Sequence, residues 1–253
     1  MEPAIPTPEA TGPVLRIRRG GERAFEDFGW TDNWMTFSFG EYDDPEWRHF
    51  GPLRVIVENH IQLHSGFPTH AHRDVEIVTY VAAGVLTHAD SFGHAGGIGP
   101  GEMQLISAGS GGMIHSEENA GDVVEHNLQC WLVPDRHGTT FAYHQLGFTP
   151  EERRGQLRLY VSPDARDGSM PIHTDAFIYA GLFAPGDVVE HVLGPGRGAW
   201  IQLVRGTVRV FGARLAAGDG VGITSADRLA LEFDDETELV LFDLGMDAPM
   251  IWR

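Results

Sequence analysis

Tyr80-Val81-Ala82-Ala83-Gly84-Val85-Leu86 reads as a strand, a Gly-containing hairpin turn and a second strand, and Gly99-Pro100-Gly101-Glu102 then opens another. The same rhythm returns in the second half, where Leu203-Val204-Arg205-Gly206-Thr207-Val208 precedes Ala217-Gly218-Asp219-Gly220. A repeated strand–turn–strand followed by a Gly-acid turn points to internal duplication of one β module. The boundary falls near residues 145–157. Short β-rich runs surround both copies, at residues 34–39, 53–61, 75–82, 103–107 and 125–133, then at 157–161, 177–183, 199–204, 208–211, 220–223 and 238–243. Between the two sets, the polar stretch 149–156 has room for one helical turn. Many short strands with Gly, Pro and Asp punctuation predict an all-β sandwich or barrel.

At 253 residues with 42% hydrophobic side chains, the chain can bury a proper core. The formal charge of −18 sets it against nucleic-acid phosphates and anionic membranes as partners. No apolar run approaches the ~20 residues of a bilayer span, and the N-terminus lacks a secretory pattern, so a cytoplasmic protein is expected. Its first residues, rich in Pro, Ala, Thr and Glu, read as a disordered tail. The single cysteine, Cys130, lies in an apolar run and reads as an inert buried thiol.

The chemistry lies in His70-Ala71-His72 and His115-Ser116-Glu117. Ligand side chains two residues apart on a strand point to one face. Two such strands facing each other bring three imidazoles and one carboxylate to a point. Ten of the thirteen histidines lie between His60 and His144, which ties the imidazoles to the first half. Either pair alone would read as surface residues; together, beside Gly/Pro turns, they read as a transition-metal site. Such donors suit Fe, Ni, Cu, Mn or Zn, and the lack of clustered cysteines argues against structural zinc.

These residues resemble the two motifs of the cupin superfamily and, more closely, the pirin family. The resemblance runs through Thr69-His70-Ala71-His72-Arg73-Asp74-Val75-Glu76-Ile77-Val78-Thr79-Tyr80, Thr87-His88-Ala89-Asp90-Ser91-Phe92-Gly93 and Gln104-Leu105-Ile106-Ser107-Ala108-Gly109. It continues through His115-Ser116-Glu117, Gln129-Cys130-Trp131-Leu132, Gln202-Leu203-Val204-Arg205-Gly206 and Leu241-Phe242-Asp243-Leu244. It implies a bicupin, two tandem jelly-roll β-barrels at residues 15–148 and 149–253 after a tail at 1–14, with the metal in the first. It also implies His70, His72, His115 and Glu117 as ligands of one divalent ion, Fe(II) foremost, with Ni, Cu, Mn, Co or Zn as alternatives. Glu76, the usual cupin carboxylate, becomes an alternative ligand or a group supporting the ligands. The C-terminal half has only His173 and His191, without a paired motif, and is expected to be metal-free and structural.

Two departures from the family pattern are a loop at 109–114 one residue longer than usual and His94 where Asn is common. The resemblance implies a dioxygenase opening flavonols such as quercetin with O₂ (quercetin 2,3-dioxygenase-like), with Glu117 as the catalytic base. Phe67, Met103, Gln129 and Trp131 are candidates for the pocket or for supporting contacts, with ordinary core the heavier reading for Phe67, Met103 and Trp131. The alternatives are a non-enzymatic, redox-responsive metal protein that acts through partners and, with less motif support, a cupin isomerase or small-molecule binder.

Overall fold

The computed structural model describes residues 12–251. The first half holds strands β2 (Ala24–Asp27), β3 (Thr31–Met35), β4 (Leu53–Ile61), β5 (Ser65–His72), β6 (Glu76–Ala83) and β7 (Leu86–Asp90). Strands β8 (Ala95–Ile98), β9 (Glu102–Ser107), β10 (Met113–Asn119), β11 (Glu125–Leu132) and β12 (Ala142–Gly147) complete it, and the short helix α1 (Pro150–Arg153) follows. The second half holds β13 (Arg158–Ser162), β14 (Met170–Pro171), β15 (Ala176–Phe183), β16 (Val188–Val192), β17 (Arg197–Arg205) and β18 (Thr207–Val210). It ends with β19 (Ala213–Ala216), β20 (Gly220–Thr224), β21 (Arg228–Phe233) and β22 (Thr237–Gly245). The first strand of the chain, β1 (Val14–Arg18), pairs with β20 in the second half.

Each half is a seven-stranded sheet facing a four-stranded one. The large sheets run β12-β9-β6-β11-β4-β3-β2 and β1-β20-β17-β22-β15-β13-β14. The small sheets run β5-β10-β7-β8 and β16-β21-β18-β19. Strands β4 to β11 and β15 to β22 thus take matching places one for one, so the duplication read from the turns is a duplication of topology. The edge filled by β12 in the first sheet is filled by β1 in the second. The chain's opening segment therefore belongs to the second sandwich's sheet, whereas the sequence reading placed residue 14 in a tail and 15 onward in the first barrel. Residues 1–11 of that tail lie outside the described residues.

The quoted glycine turns are not hairpins. Strands β6 and β7 lie in different sheets, as do β17 and β18, so Gly84 and Gly206 carry the chain round the sandwich edge. Both adopt positive φ, +72° and +78°. A Cβ at Gly84 would lie 2.8 Å from Glu125 Cα, and one at Gly206 only 2.3 Å from Glu236 O. Glycine alone fits both demands.

The two large sheets pack on each other. Val78, Tyr80, Leu105 and Leu128 from one meet Ile178, Trp200, Val240 and Phe242 from the other in a single core. The opposite faces pack inside their own sandwiches: Ile61, Val81, Leu86 and Ile98 in the first, and Ile201, Leu231 and Leu241 in the second. A sheet covered on both sides needs apolar residues on both faces. Six consecutive residues of β6, Glu76 to Val81, and all nine of β22 are accordingly buried. Arg153 of α1 fastens the halves, donating to Tyr80 Oη at 2.6 Å and Glu238 Oε1 at 3.0 Å.

Candidate metal centre

Strand β5 lies antiparallel to β10, with His70 opposite His115 and a bulge between His115 and Glu117. His70, His72 and His115 therefore project into the first sandwich together, and their ligand nitrogens lie within 4.8 Å of one another. His115 Nε2 is 2.9 Å from His70 Nε2. His70 Nδ1 sits 2.8 Å from the carbonyl of Pro68, the contact that places its proton there and frees the Nε2 lone pair. His72 Nε2 and His115 Nδ1 are buried without a hydrogen-bond partner. Burial, reinforced by the neighbouring imidazoles, pushes His72 down to about 4 and His115 down to about 3. Both rings are thus neutral near neutral pH, the state a metal ligand requires.

Glu117 is 2% exposed. It falls outside the mutually close triad but faces the same cavity. Gln129 Nε2 donates to both its oxygens, at 3.0 and 2.9 Å. Burial raises its pKa above the ordinary carboxyl value, against the Gln129 hydrogen bond and the charge of His70. The cavity, about 270 Å³, has Trp131, Phe67, Phe39 and Val57 as apolar walls. It sits just below the roughly 300–1,000 Å³ range of small-molecule sites. Trp131 also packs edge-on against His72, with ring centroids 5.0 Å apart.

The structure therefore gathers His70, His72, Glu117, Phe67, Gln129 and Trp131 around one cavity, with His115 against the first two imidazoles. It does not bring Glu76 or Met103 there. Both lie on the sheet face turned toward the second sandwich. Glu76 accepts from Ser107 Oγ at 2.6 Å, and Met103 is fully buried in the core between the halves. Glu76 so placed neither ligates nor supports the ligands. Cys130 is buried in that same core, where desolvation raises its thiol pKa.

Further polar residues lie at the cavity or beside the imidazoles. Asn59 lines the cavity and donates to Asn127 Oδ1 at 3.0 Å, and Asn127 donates to Glu125 Oε2 at 2.8 Å. His88, fully buried, has its ring 5.3 Å from that of His115 and its Nε2 3.1 Å from Asp90 Oδ2. His94, one of the departures, stacks on Tyr143 and packs beside Asp90. Alternation from Gln129 along β11 was the one signal pointing to Asn127.

The sequence pattern described as Pirin matches residues 18–132, and that described as the quercetinase C-terminal cupin domain matches residues 159–244. The chain is 37% identical to quercetin 2,3-dioxygenase of Escherichia coli K12, over 91% of this chain and 99% of that protein. The chain belongs to the pirin family. A pirin-like protein of Caulobacter vibrioides is 34% identical over 86% of this pirin and 94% of its own length. The crystal structure of the E. coli bacterial pirin YhhW in complex with nickel(II) matches with a TM-score of 0.86 at 37% identity, covering 92% and 99% of the two chains. The bicupin architecture expected from the motifs is the one observed.

Proposed function

We propose that this pirin is a metal-dependent dioxygenase that opens the ring of flavonols such as quercetin with O₂. The observation that carries the reading is the convergence of three imidazoles, two of them held neutral by desolvation, beside a small aromatic-walled cavity. His70, His72 and His115 would hold one divalent first-row ion, with Glu117 as a fourth donor. Nickel, bound by the E. coli relative, suits this donor set as well as iron does. A bound ion supplies Lewis acidity and lowers the pKa of a chelated hydroxyl.

The protein residues supply the rest. Trp131, Phe67 and Phe39 give the flat aromatic substrate apolar faces and keep water from its rings. Glu117, whose pKa is raised by burial, accepts the proton of the flavonol 3-hydroxyl. Gln129 fixes the carboxylate's direction through its paired contacts. His70 is held in register by the Pro68 carbonyl.

Aerobic incubation of metal-loaded protein with quercetin tests the reading. Loss of flavonol absorbance with O₂ uptake is expected, abolished in His72→Ala and Glu117→Ala. A metal-loaded protein that consumes neither quercetin nor O₂ would shift the assignment to a metal protein acting through partners.

A further inference from the structure

A second set of metal-binding side chains lies on the other face of the sheet that walls the cavity. Val57 and Asn59 of β4 line the cavity, so Glu58 and His60 project from the opposite face. On β11, Gln129 and Trp131 face the cavity, and His126 meets Glu58 on the far side. One ligand atom from each of Glu58, His60 and His126 lies within 4.8 Å of the other two. His126 Nε2 is 2.8 Å from Glu58 Oε1, and His60 Nε2 is 3.8 Å from the same oxygen. The imidazole rings stand nearly perpendicular, at 80° with centroids 4.3 Å apart.

His60 Nε2 is buried and has no hydrogen-bond partner. A purely structural Glu58–His126 pair would leave that nitrogen unsatisfied, a cost that a bound cation removes. Arg23 Nη1 donates to the other carboxylate oxygen, Oε2, at 2.7 Å. Burial opposes ionisation, but the His126 hydrogen bond and the Arg23 charge hold Glu58 below its ordinary value. The carboxylate is thus fixed and charged, with Oε1 directed at the imidazoles, an outer contact of the kind that orients metal ligands. Asp32, opposite His60 on β3, adds a negative charge close enough to act on that imidazole.

We infer that Glu58, His60 and His126 form a second divalent-cation site, for late first-row ions with zinc first, separate from the His70–His72–His115 centre. Two imidazole nitrogens and one carboxylate oxygen are an established donor set for such ions. The bound ion clasps β4 to β11, the neighbouring strands that carry Val57, Asn59 and Gln129 into the cavity. Its role is to fix the register of the cavity wall.

Titration of tag-free, chelator-stripped protein with Co(II) and Zn(II), followed by calorimetry and by visible absorption of cobalt, decides the matter. Two ions per chain are expected for the native sequence. One is expected for His60→Ala, for His126→Ala and for the double variant His72→Ala/His115→Ala. A single ion in the native chain, or two in His60→Ala and His126→Ala, overturns the inference. Should those alanine variants not fold, zinc-edge anomalous scattering from crystals of the native sequence replaces them: a peak between Glu58, His60 and His126 supports the site and its absence rejects it.

Discussion

The two sandwiches share one topology and treat their polar interiors in opposite ways. Strands β5, β10 and β11 of the first take the same places as β16, β21 and β22 of the second. Strand β10 carries His115 and Glu117, whereas Leu229, Leu231 and Phe233 of β21 enter the second sandwich's apolar core. Where the second sandwich keeps polar groups, it pairs them with each other. His191 Nε2 of β16 lies 2.9 Å from Asp243 Oδ2 of β22, and Arg197 reaches both Asp243 and Asp175. In the first sandwich, nitrogens of His72 and His115 are left buried without protein partners. Duplication supplied two containers of one shape; a site arises where buried donors are left without internal partners.

The largest effect follows from removing those donors. His72→Ala or His115→Ala should take flavonol turnover to background, a loss beyond the roughly 100-fold that outer contacts of a metal site produce. The same variants should leave the unfolding temperature of metal-free protein unchanged or slightly raised, because the lost imidazole carried an unsatisfied buried nitrogen. Turnover persisting alongside a large thermal loss would reverse the comparison. The complementary test is Arg197→Met. It strips a buried pair of its cation and should cost about 3 kcal/mol. In a chain of this length that lowers the unfolding temperature by roughly 6–12 °C. Metal content of the first sandwich should not change, and an unaltered unfolding temperature would show that the second sandwich does not depend on its internal pairing.

Strands with long apolar runs were legible. The expected run at 53–61 coincides with β4, and those at 125–133 and 199–204 fall on β11 and β17. Short strands without such runs were missed: β8, which is Ala-Gly-Gly-Ile, and β2, an exposed edge. The run expected at 34–39 ends instead at Met35. Beyond it the chain turns, with Ser38 Oγ accepting from the Asp44 N–H. The candidate ligands were visible because their spacing of two needs only a strand. The face of Glu76 and Met103 was not visible, for a physical reason. A sheet buried on both sides shows no polar–apolar alternation, so parity tells which residues share a face but not which face looks inward. The pairing of β1 with β20 was equally hidden, since nothing local in Val14–Arg18 names its partner sheet.

A smaller effect should come from Gln129, which touches the candidate base and not the triad. Gln129→Leu keeps the side-chain bulk but releases Glu117, so turnover should fall about 10- to 100-fold with metal content retained. Metal analysis beside steady-state kinetics separates the two roles. Metal lost in proportion to turnover would make Gln129 part of the ion's own support.

The smallest effect lies in pH dependence, whose sign is set by groups in the first sandwich. In the folded metal-free protein His72 and His115 titrate near 4 and 3, below the ordinary 6.5, because burial disfavours their charge. As pH falls below about 6.5 the unfolded chain takes up protons the folded chain refuses, so stability is lost toward acid. Glu76 and Glu125 behave oppositely: burial raises them to about 7 and about 8 from the ordinary 4.5. Above about 4.5 the unfolded chain releases protons that the folded chain retains, so stability is lost toward alkali. Between those limits the slopes oppose each other, and calorimetry of metal-free protein should show a plateau from about pH 4.5 to 6.5 with a decline on either side. Glu125→Gln should flatten the alkaline decline and leave the acid one intact. Arg197→Met should lower stability at neutral pH and leave the alkaline decline intact, because Glu76 and Glu125 belong to the other sandwich. A changed alkaline arm in Arg197→Met, or an unchanged one in Glu125→Gln, would place the controlling groups elsewhere.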